Sequence, residues 1–353
     1  MPPTPVGAPI ANTGHSMRAI TIGPTFGSKN LKLADRPEPV PRRCEVVVKV
    51  RAASLNYRDL RVVAGTYHQD FPHELVPVSD GVGEIVSVGQ DVSRVAVGDR
   101  VCGVFFQRWT SGQLDPADRP YQLGGPLDGM LAEYARLDER GVVKVPDYLS
   151  DEEAATLPCA GVTAWHALVT EGNLKAGDTV LVLGTGGVSL FALQFSVAAG
   201  AQVIVASSSD EKLSRARALG ATGAINYVRT PAWSQEVMRL TDGRGVDHVV
   251  ELGGPSSFAQ SLMSVRPGGQ IALIGYLGGM EGSINPFEIF RRQARVRSTP
   301  VGSRASHEAM CRSMEINAIR PVIDRSFAWT DAAAALDYMS EGKHFGKITL
   351  AFP

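Results

Sequence analysis

Cysteine is scarce in this chain and badly placed for cross-linking. Cys44, Cys102, Cys159 and Cys311 stand far apart and form no CxxC pair. That spacing argues against a disulfide framework and a four-cysteine zinc lobe, and it fits a reducing cytoplasm. Long apolar runs are missing too: none approaches the roughly 18–20 residues that span a bilayer. Net charge is nearly absent, at −1. So even a balance gives no basic footprint for nucleic acid and no polybasic membrane signal. Residues 1–16, MPPTPVGAPIANTGHS, lack both the basic start and the apolar core of a secretory leader. Their Pro, Gly and small residues read as an extended arm, with the domain proper starting near Met17.

What is present is the balance of a globular protein, 44% hydrophobic and 20% charged, in 353 residues that suggest two domains. The first third reads as β-rich, with EVVVKV (45–50), GVGEIVSVG (81–89) and DRVCGVF (99–105) as short runs broken by turn residues. A polar stretch, 107–129, follows with Pro116, Pro120 and Pro126, and reads as a long loop that is either functional or mobile. At Ser150 the texture changes. SDEEAATL opens like a capping box, with Ser150 as N-cap and Glu153 three residues on. TVLVL, QVIVA, GAIN, DHVVEL, QIALIG and RVRST then read as six strands separated by helices. Continuous apolar strands of this kind predict a parallel sheet covered on both faces, an α/β fold. After Val301 a helix and a last strand, KITLAF, return to the first domain.

TVLVL runs straight into GTGGVS, the residues Gly184, Thr185, Gly186, Gly187, Val188 and Ser189, and then into an apolar helix. Strand, glycine turn and helix in this order form a dinucleotide fingerprint. Gly184 permits the tight turn and Gly186 lets the backbone approach a pyrophosphate, which the helix N-terminus attracts. The third position is Ser189 rather than glycine, a small residue that still permits close packing. At the end of the next strand an NAD enzyme usually carries Asp or Glu for the ribose hydroxyl. Here Ser207, Ser208 and Ser209 stand there, followed by Lys212. Hydroxyls accept a 2′-phosphate that a carboxylate would repel, and a lysine adds positive charge. This predicts NADPH over NADH, against a plainer reading in which Ser209 caps a helix and Lys212 is merely solvated.

AASLNYRDL, GVGEIVSVG, GDRV, LPCAGVTAWHAL, VLGTGGVSLFALQ, SSSDEKL, INY and FGKITL occur in that order. Together they resemble the medium-chain dehydrogenase/reductase superfamily from Met17 to Phe352. Within it they are similar to the zinc-free quinone oxidoreductase and zeta-crystallin branch, and to bacterial relatives often labelled zinc-type alcohol dehydrogenases. The resemblance implies a β-rich GroES-like catalytic domain from 1–150 and 301–353. It also implies a six-stranded, doubly wound Rossmann domain over 151–300. Lys212 and Tyr227 match residues that hold the 2′-phosphate in NADPH-dependent relatives. Thr163 matches a threonine at the nicotinamide end. Leu252, Gly253, Gly254, Gly275, Tyr276 and Val301 match loops whose backbone meets the nicotinamide side, and Lys347 matches a basic residue near the pyrophosphate. Relatives pair edge strands into homodimers, which the resemblance extends to RVRST.

Zinc members of the superfamily hold their metal with a cysteine, the histidine of a GHE motif and a second cysteine. The corresponding places here are Asn56, Val78-Ser79-Asp80 and Cys159. One thiol and a carboxylate make a poor zinc site, and 107–129 contains no cysteine for a structural zinc. His68 and His73 read as surface histidines. No metal is expected. Without one, hydride transfer to an electron-poor quinone or α,β-unsaturated carbonyl is the easiest chemistry, since the cofactor carries it.

Asn56 matches an asparagine that contacts the nicotinamide ribose and active-site water in relatives. Its amide is a candidate donor to an enolate oxygen, with a turn asparagine as the alternative. Tyr57 is a candidate proton donor, and Arg58 either steadies an oxyanion or pairs with Asp59. Tyr67 is a further cleft candidate. Phe105, Phe106 and Trp109 either line a pocket or belong to the core. Relatives' tyrosine five residues after the asparagine is Arg61 here, which leaves the quinone open. Two other functions stay in view: an alcohol dehydrogenase or aldehyde reductase working without zinc, and a non-catalytic NADPH-binding protein.

Overall fold

Strand pairing sorts the described residues into three sheets. The computed structural model describes residues 14–67, 71–72 and 74–353. Most of the expected arm, and His68 and His73, lie outside the described residues. Strands β1 (Ser16–Ile22) and β2 (Leu31–Pro37) pair antiparallel as a small sheet. Next come β3 (Glu45–Ser54), β4 (Asp80–Val88), β5 (Arg100–Gly103), β6 (Tyr134–Asp138) and β7 (Val142–Lys144). On β3, Val46, Val48 and Val50 are buried while Lys49 and Arg51 face solvent, the alternation of a one-sided sheet.

Strands β8 (Thr179–Leu183), β9 (Gln202–Ser207), β10 (Gly223–Asn226), β11 (Val246–Glu251), β12 (Val265–Leu273) and β13 (Arg295–Ser298) form a separate sheet in the order β10-β9-β8-β11-β12-β13. Every pairing in it is parallel. Along β8, Val180 and Val182 enter one core with Leu190 and Phe191, while Leu181 and Leu183 enter another with Trp233 and Phe258. A strand buried on both faces must be apolar throughout, which is why TVLVL does not alternate. This is the doubly wound Rossmann arrangement.

Strands β14 (Ile323–Ala328) and β15 (Lys347–Ala351) return to the first large sheet, ordered β14-β15-β3-β4-β5-β7 with β6 also on β3. β15 therefore lies directly beside β3, which brings Lys347 next to the end of β3. Among the described residues, ten α-helices fill the connections: α1 (Tyr57–Val63), α2 (Asp151–Ala155), α3 (Val162–Trp165), α4 (Gly187–Ala198), α5 (Asp210–Ala218), α6 (Trp233–Leu240), α7 (Pro255–Ser264), α8 (Pro286–Arg292), α9 (Arg304–Asn317) and α10 (Ala332–Ser340). The capping box before α2 forms as expected, with Glu153 N–H donating to Ser150 Oγ at 3.2 Å and Ser150 N–H to the Glu153 carboxylate at 2.8 Å. Among the described residues, no helix is long and apolar enough to cross a membrane.

Two segments differ from their expected form. The return after Val301 contains two helices and an extra strand, β14, whose sequence IDRSFA interleaves charge with partly buried positions. The loop 107–129 carries a short 3-10 turn at Pro116–Tyr121, opened by Asp115 accepting from Ala117 N–H at 2.8 Å.

Candidate active site

The glycine turn supplies the first wall of the site. Gly184 has φ +77°, a conformation that favours glycine, and it reverses the chain between β8 and α4. Space beyond the Gly186 Cα is open, so backbone there meets no side chain. The first-turn N–H groups of α4, from Gly187, Val188 and Ser189, have no partner within the helix. Ser189 Oγ donates to Leu183 O at 2.8 Å, which ties the first turn of α4 to the end of β8. That bond accounts for a serine at the third fingerprint position.

A second wall stands at the end of β9. Ser207 is buried, and Tyr227 N–H donates to its carbonyl at 3.1 Å. Ser209 caps α5, its Oγ accepting from Lys212 N–H at 3.3 Å, so this side chain is engaged in the helix start. The Lys212 ammonium reaches away from the serines. It donates to Gly342 O at 3.0 Å and His344 O at 2.9 Å, and burial holds it below the usual lysine range. Arg229, which the sequence reading passed over, pairs with Asp210.

On another side, one residue organises the loops after β11 and β12. Glu251 ends β11 fully buried. Its carboxylate accepts from Gly253 N–H at 2.8 Å, Gly254 N–H at 3.1 Å and Ser257 Oγ at 2.6 Å, with Ser261 Oγ as a fourth donor. Its carbonyl accepts from Ile274 N–H at 3.0 Å and Gly275 N–H at 3.3 Å. Leu252–Gly254 and Gly275–Tyr276 are thus hung from a single side chain and its own carbonyl. Tyr276 meets Tyr57 edge to face at 6.4 Å, and Tyr57, half exposed, stands at the rim. Thr163 and Val301 are both buried.

Where β3, β4 and β15 meet, polar groups converge. Asn56 precedes α1, its N–H donating to the Asp59 carboxylate at 2.8 Å. Lys347 opens β15 and is buried, with Nζ donating to Leu55 O and, at 2.6 Å, to Asn56 Oδ1. An ammonium can only donate, so Oδ1 of the amide faces Lys347 and Nδ2 faces Ser79 Oγ, 3.5 Å away. Ser79 Oγ donates to Asp80 Oδ1 at 2.8 Å, and Cys159 N–H donates to Asp80 Oδ2 at 3.1 Å.

Burial raises the Asp80 carboxyl above its usual range, opposed by Lys347 and by the bonds from Asn56 and Ser79. It pushes Asp59 up to about 6, opposed by the adjacent Arg58, and pushes the Cys159 thiol well up. Lys347 is held below the usual lysine range by burial, opposed by Asp80, Cys159 and Asp59.

Arg58 and Lys347 sit differently from their expected oxyanion and pyrophosphate roles, and the aromatic trio takes the core alternative. Arg58 is buried, donating to Leu123 O at 2.9 Å and Gly125 O at 3.1 Å, with its guanidinium over the rings of Phe105 and Tyr67. It clamps the 107–129 loop and offers no free fork to an oxyanion. Phe105, Phe106 and Trp109 are core, packed edge to face on one another. Lys347 reaches past the phosphate turn: its stem lies on Gly187, where an added Cβ would meet Lys347 Cδ at 2.5 Å, but its charge ends at Asn56.

Comparison with known proteins extends this picture. Residues 42–147 match the alcohol dehydrogenase GroES-like domain and residues 187–315 the zinc-binding dehydrogenase model. A zinc-type alcohol dehydrogenase-like protein, C1773.06c of Schizosaccharomyces pombe, is 43% identical over 313 residues, 87% of this chain and 90% of that protein. A quinone oxidoreductase of Pongo abelii is 28% identical, covering 92% and 94%. The crystal structure of a putative alcohol dehydrogenase from Sinorhizobium meliloti 1021 superposes with TM-score 0.90 at 40% identity, over 96% and 99% of the two chains. That of an NAD-dependent alcohol dehydrogenase gives 0.87 at 33%, over 96% and 100%. The mycobacterial protein Rv1454c, complexed with NADPH, gives 0.79 at 27%, over 96% and 100%.

Proposed function

This chain belongs to the medium-chain dehydrogenase/reductase superfamily of NAD(P)-dependent oxidoreductases, and from that premise we propose that it delivers hydride from NADPH to a small quinone or α,β-unsaturated carbonyl without zinc. The observation that carries the reading is Lys347, whose stem lies on the phosphate turn at Gly187 while its head bonds Asn56. Phosphate wall and polar cluster therefore share one cleft. The residues fit a nicotinamide dinucleotide. Gly184–Ser189 offer a tight turn and free helix N–H groups, Ser207 and Ser208 offer hydroxyls, and the Glu251-hung loops offer backbone. When bound, that cofactor supplies the hydride.

The chain's own residues then orient and stabilise. Asn56 Nδ2, aimed by Lys347, is placed to donate to an oxygen that gains negative charge. The Tyr57 hydroxyl at the rim, or water, returns the proton. What supports zinc independence is the donor set. An amide, a carboxylate, a thiol that burial keeps protonated, and an ammonium in their midst do not fit a divalent zinc ion. Four unpaired thiols are consistent with a cytoplasmic protein. Alcohol or aldehyde turnover is the second reading, favoured by the relatives named as alcohol dehydrogenases.

Purified enzyme should oxidise NADPH with quinones or enones faster than with aldehydes, and keep that rate in chelator. Faster turnover of aldehydes would select the second reading. About one tightly bound zinc per chain by elemental analysis would end the zinc-free one.

A further inference from the structure

We propose that Lys347 is a positioning residue of the reaction centre, acting through the amide of Asn56 and not through the cofactor's phosphates. The inference rests on the hydride-transfer reading above. An ammonium taken out of water costs several kcal/mol unless its protons are bonded. Lys347 accepts that cost in a place where the fold has spent two acceptors on it, the Leu55 carbonyl and Asn56 Oδ1. A lysine serving only the phosphate turn would end beside the first N–H groups of α4. This one runs across Gly187, where a side chain would collide with its stem, and ends beyond it.

The consequence is directional. Because Lys347 can only donate, the amide of Asn56 cannot flip, and Nδ2 is the atom turned toward Ser79. Ser79 in turn donates to Asp80, and Cys159 N–H holds the other carboxylate oxygen. The chain Lys347, Asn56, Ser79, Asp80 therefore has one sense throughout, and each donor in it is aimed by the one before. Its lysine end places a fixed positive charge one side chain away from where a substrate oxygen would gain its negative charge. Preorganised donors of that kind act without reorganising during the reaction.

The test separates orientation from cofactor binding. Lys347→Met and Asn56→Ala are made singly and together, and each is measured by NADPH titration and by single-turnover hydride transfer at saturating NADPH. In Lys347→Met the hydride-transfer rate should fall by roughly 10²-fold, the loss typical of one misplaced oxyanion donor, while NADPH affinity holds. The double variant should be no slower than the slower single one, since both act through one amide. Lys347→Met/Asp80→Asn removes the buried charge together with its counter-charge, and gives the same readouts if the single variant does not fold. A rise of about tenfold or more in the NADPH dissociation constant with hydride transfer unchanged would overturn the proposal, as would additive losses in the double variant. A wild type that binds NADPH but reduces no acceptor would show the functional reading to be wrong before any variant is made.

Discussion

At Ser207 the proposed preference for NADPH turns on a single oxygen. The residue is buried at the end of β9, and a carboxylate there would face the doubly charged 2′-phosphate. Ser207→Asp should weaken NADPH binding and improve NADH binding by offering the ribose an acceptor. Lys212 now bonds two carbonyls across the cleft, and those neutral acceptors are weaker competitors than a phosphate dianion. Losing a charge-assisted bond costs about 1.5–3 kcal/mol, so Lys212→Ala should raise the NADPH dissociation constant roughly 10- to 150-fold. NADH should be nearly unaffected. Titration of both cofactors checks this. Equal weakening of both by Lys212→Ala would mean that the lysine serves only its two carbonyls.

The loops after β11 and β12, proposed to meet the nicotinamide, owe their shape to the end of one strand. Glu251 closes β11 and carries Gly253, Gly254, Ile274 and Gly275 on its two ends. Glu251→Ala would leave two loop N–H groups without acceptors, at about 1–3 kcal/mol each when buried. The expected result is a lower melting temperature and weaker binding of either cofactor, read by calorimetry and titration. An unchanged cofactor affinity would detach these loops from the site.

Such a residue is hard to find from sequence, because a glutamate at a strand end reads as an ordinary polar boundary. The β8 strand and its glycine turn were legible, since two-sided burial demands an unbroken apolar run and the turn demands Gly184. β14 was not, because its charged residues hide a strand that pairs only with β15. For Arg58 the expected alternative of pairing with Asp59 is met at 3.8 Å, but its hold on the 107–129 loop was not legible. Its partners, Leu123 O and Gly125 O, lie 65 and 67 residues away, and no local pattern announces them.

Two properties belong to the molecule as a whole. His307 is wholly buried with both ring nitrogens unbonded, and burial lowers it to about 4; His166 is lowered to about 4 by burial and by Arg297. An unfolded histidine titrates near 6.5. Between about pH 6.5 and about pH 4 the unfolded chain thus binds protons that these two histidines refuse when folded, and acid draws stability away at up to about 1.4 kcal/mol per pH unit for each. Asp59, raised to about 6, works in the opposite sense between about pH 6 and about pH 4. Comparing His307→Phe with wild type isolates one contribution: the variant should gain stability relative to wild type on going from about pH 7.5 to about pH 5 in urea titrations. A constant difference would refute a neutral buried His307.

The second property is assembly. β13 is the outermost strand of its sheet, and beside it in sequence α8 exposes Phe287 and Phe290 at 61% and 76%. An open edge and an apolar helix face of this kind predict a homodimer through the nucleotide-binding half. Sedimentation at micromolar concentration should show a dimer, and Phe290→Asp should shift it toward monomer.

The bond between Lys347 and Asn56 joins positions 291 residues apart, with the whole parallel sheet encoded between them. A ribosome therefore releases Asn56, Asp59 and Asp80 long before the lysine that answers them exists. Throughout that interval β3 also lacks its neighbour β15. The intervening nucleotide-binding half has all its strands in one continuous stretch and is free to fold first. The reaction centre is then the last part to be finished, and its closure waits on a contact of high sequence separation, the slowest kind to form. A nascent chain arrested before β15 would carry a finished dinucleotide cradle, an open sheet edge and an Asp80 carboxylate without its ammonium.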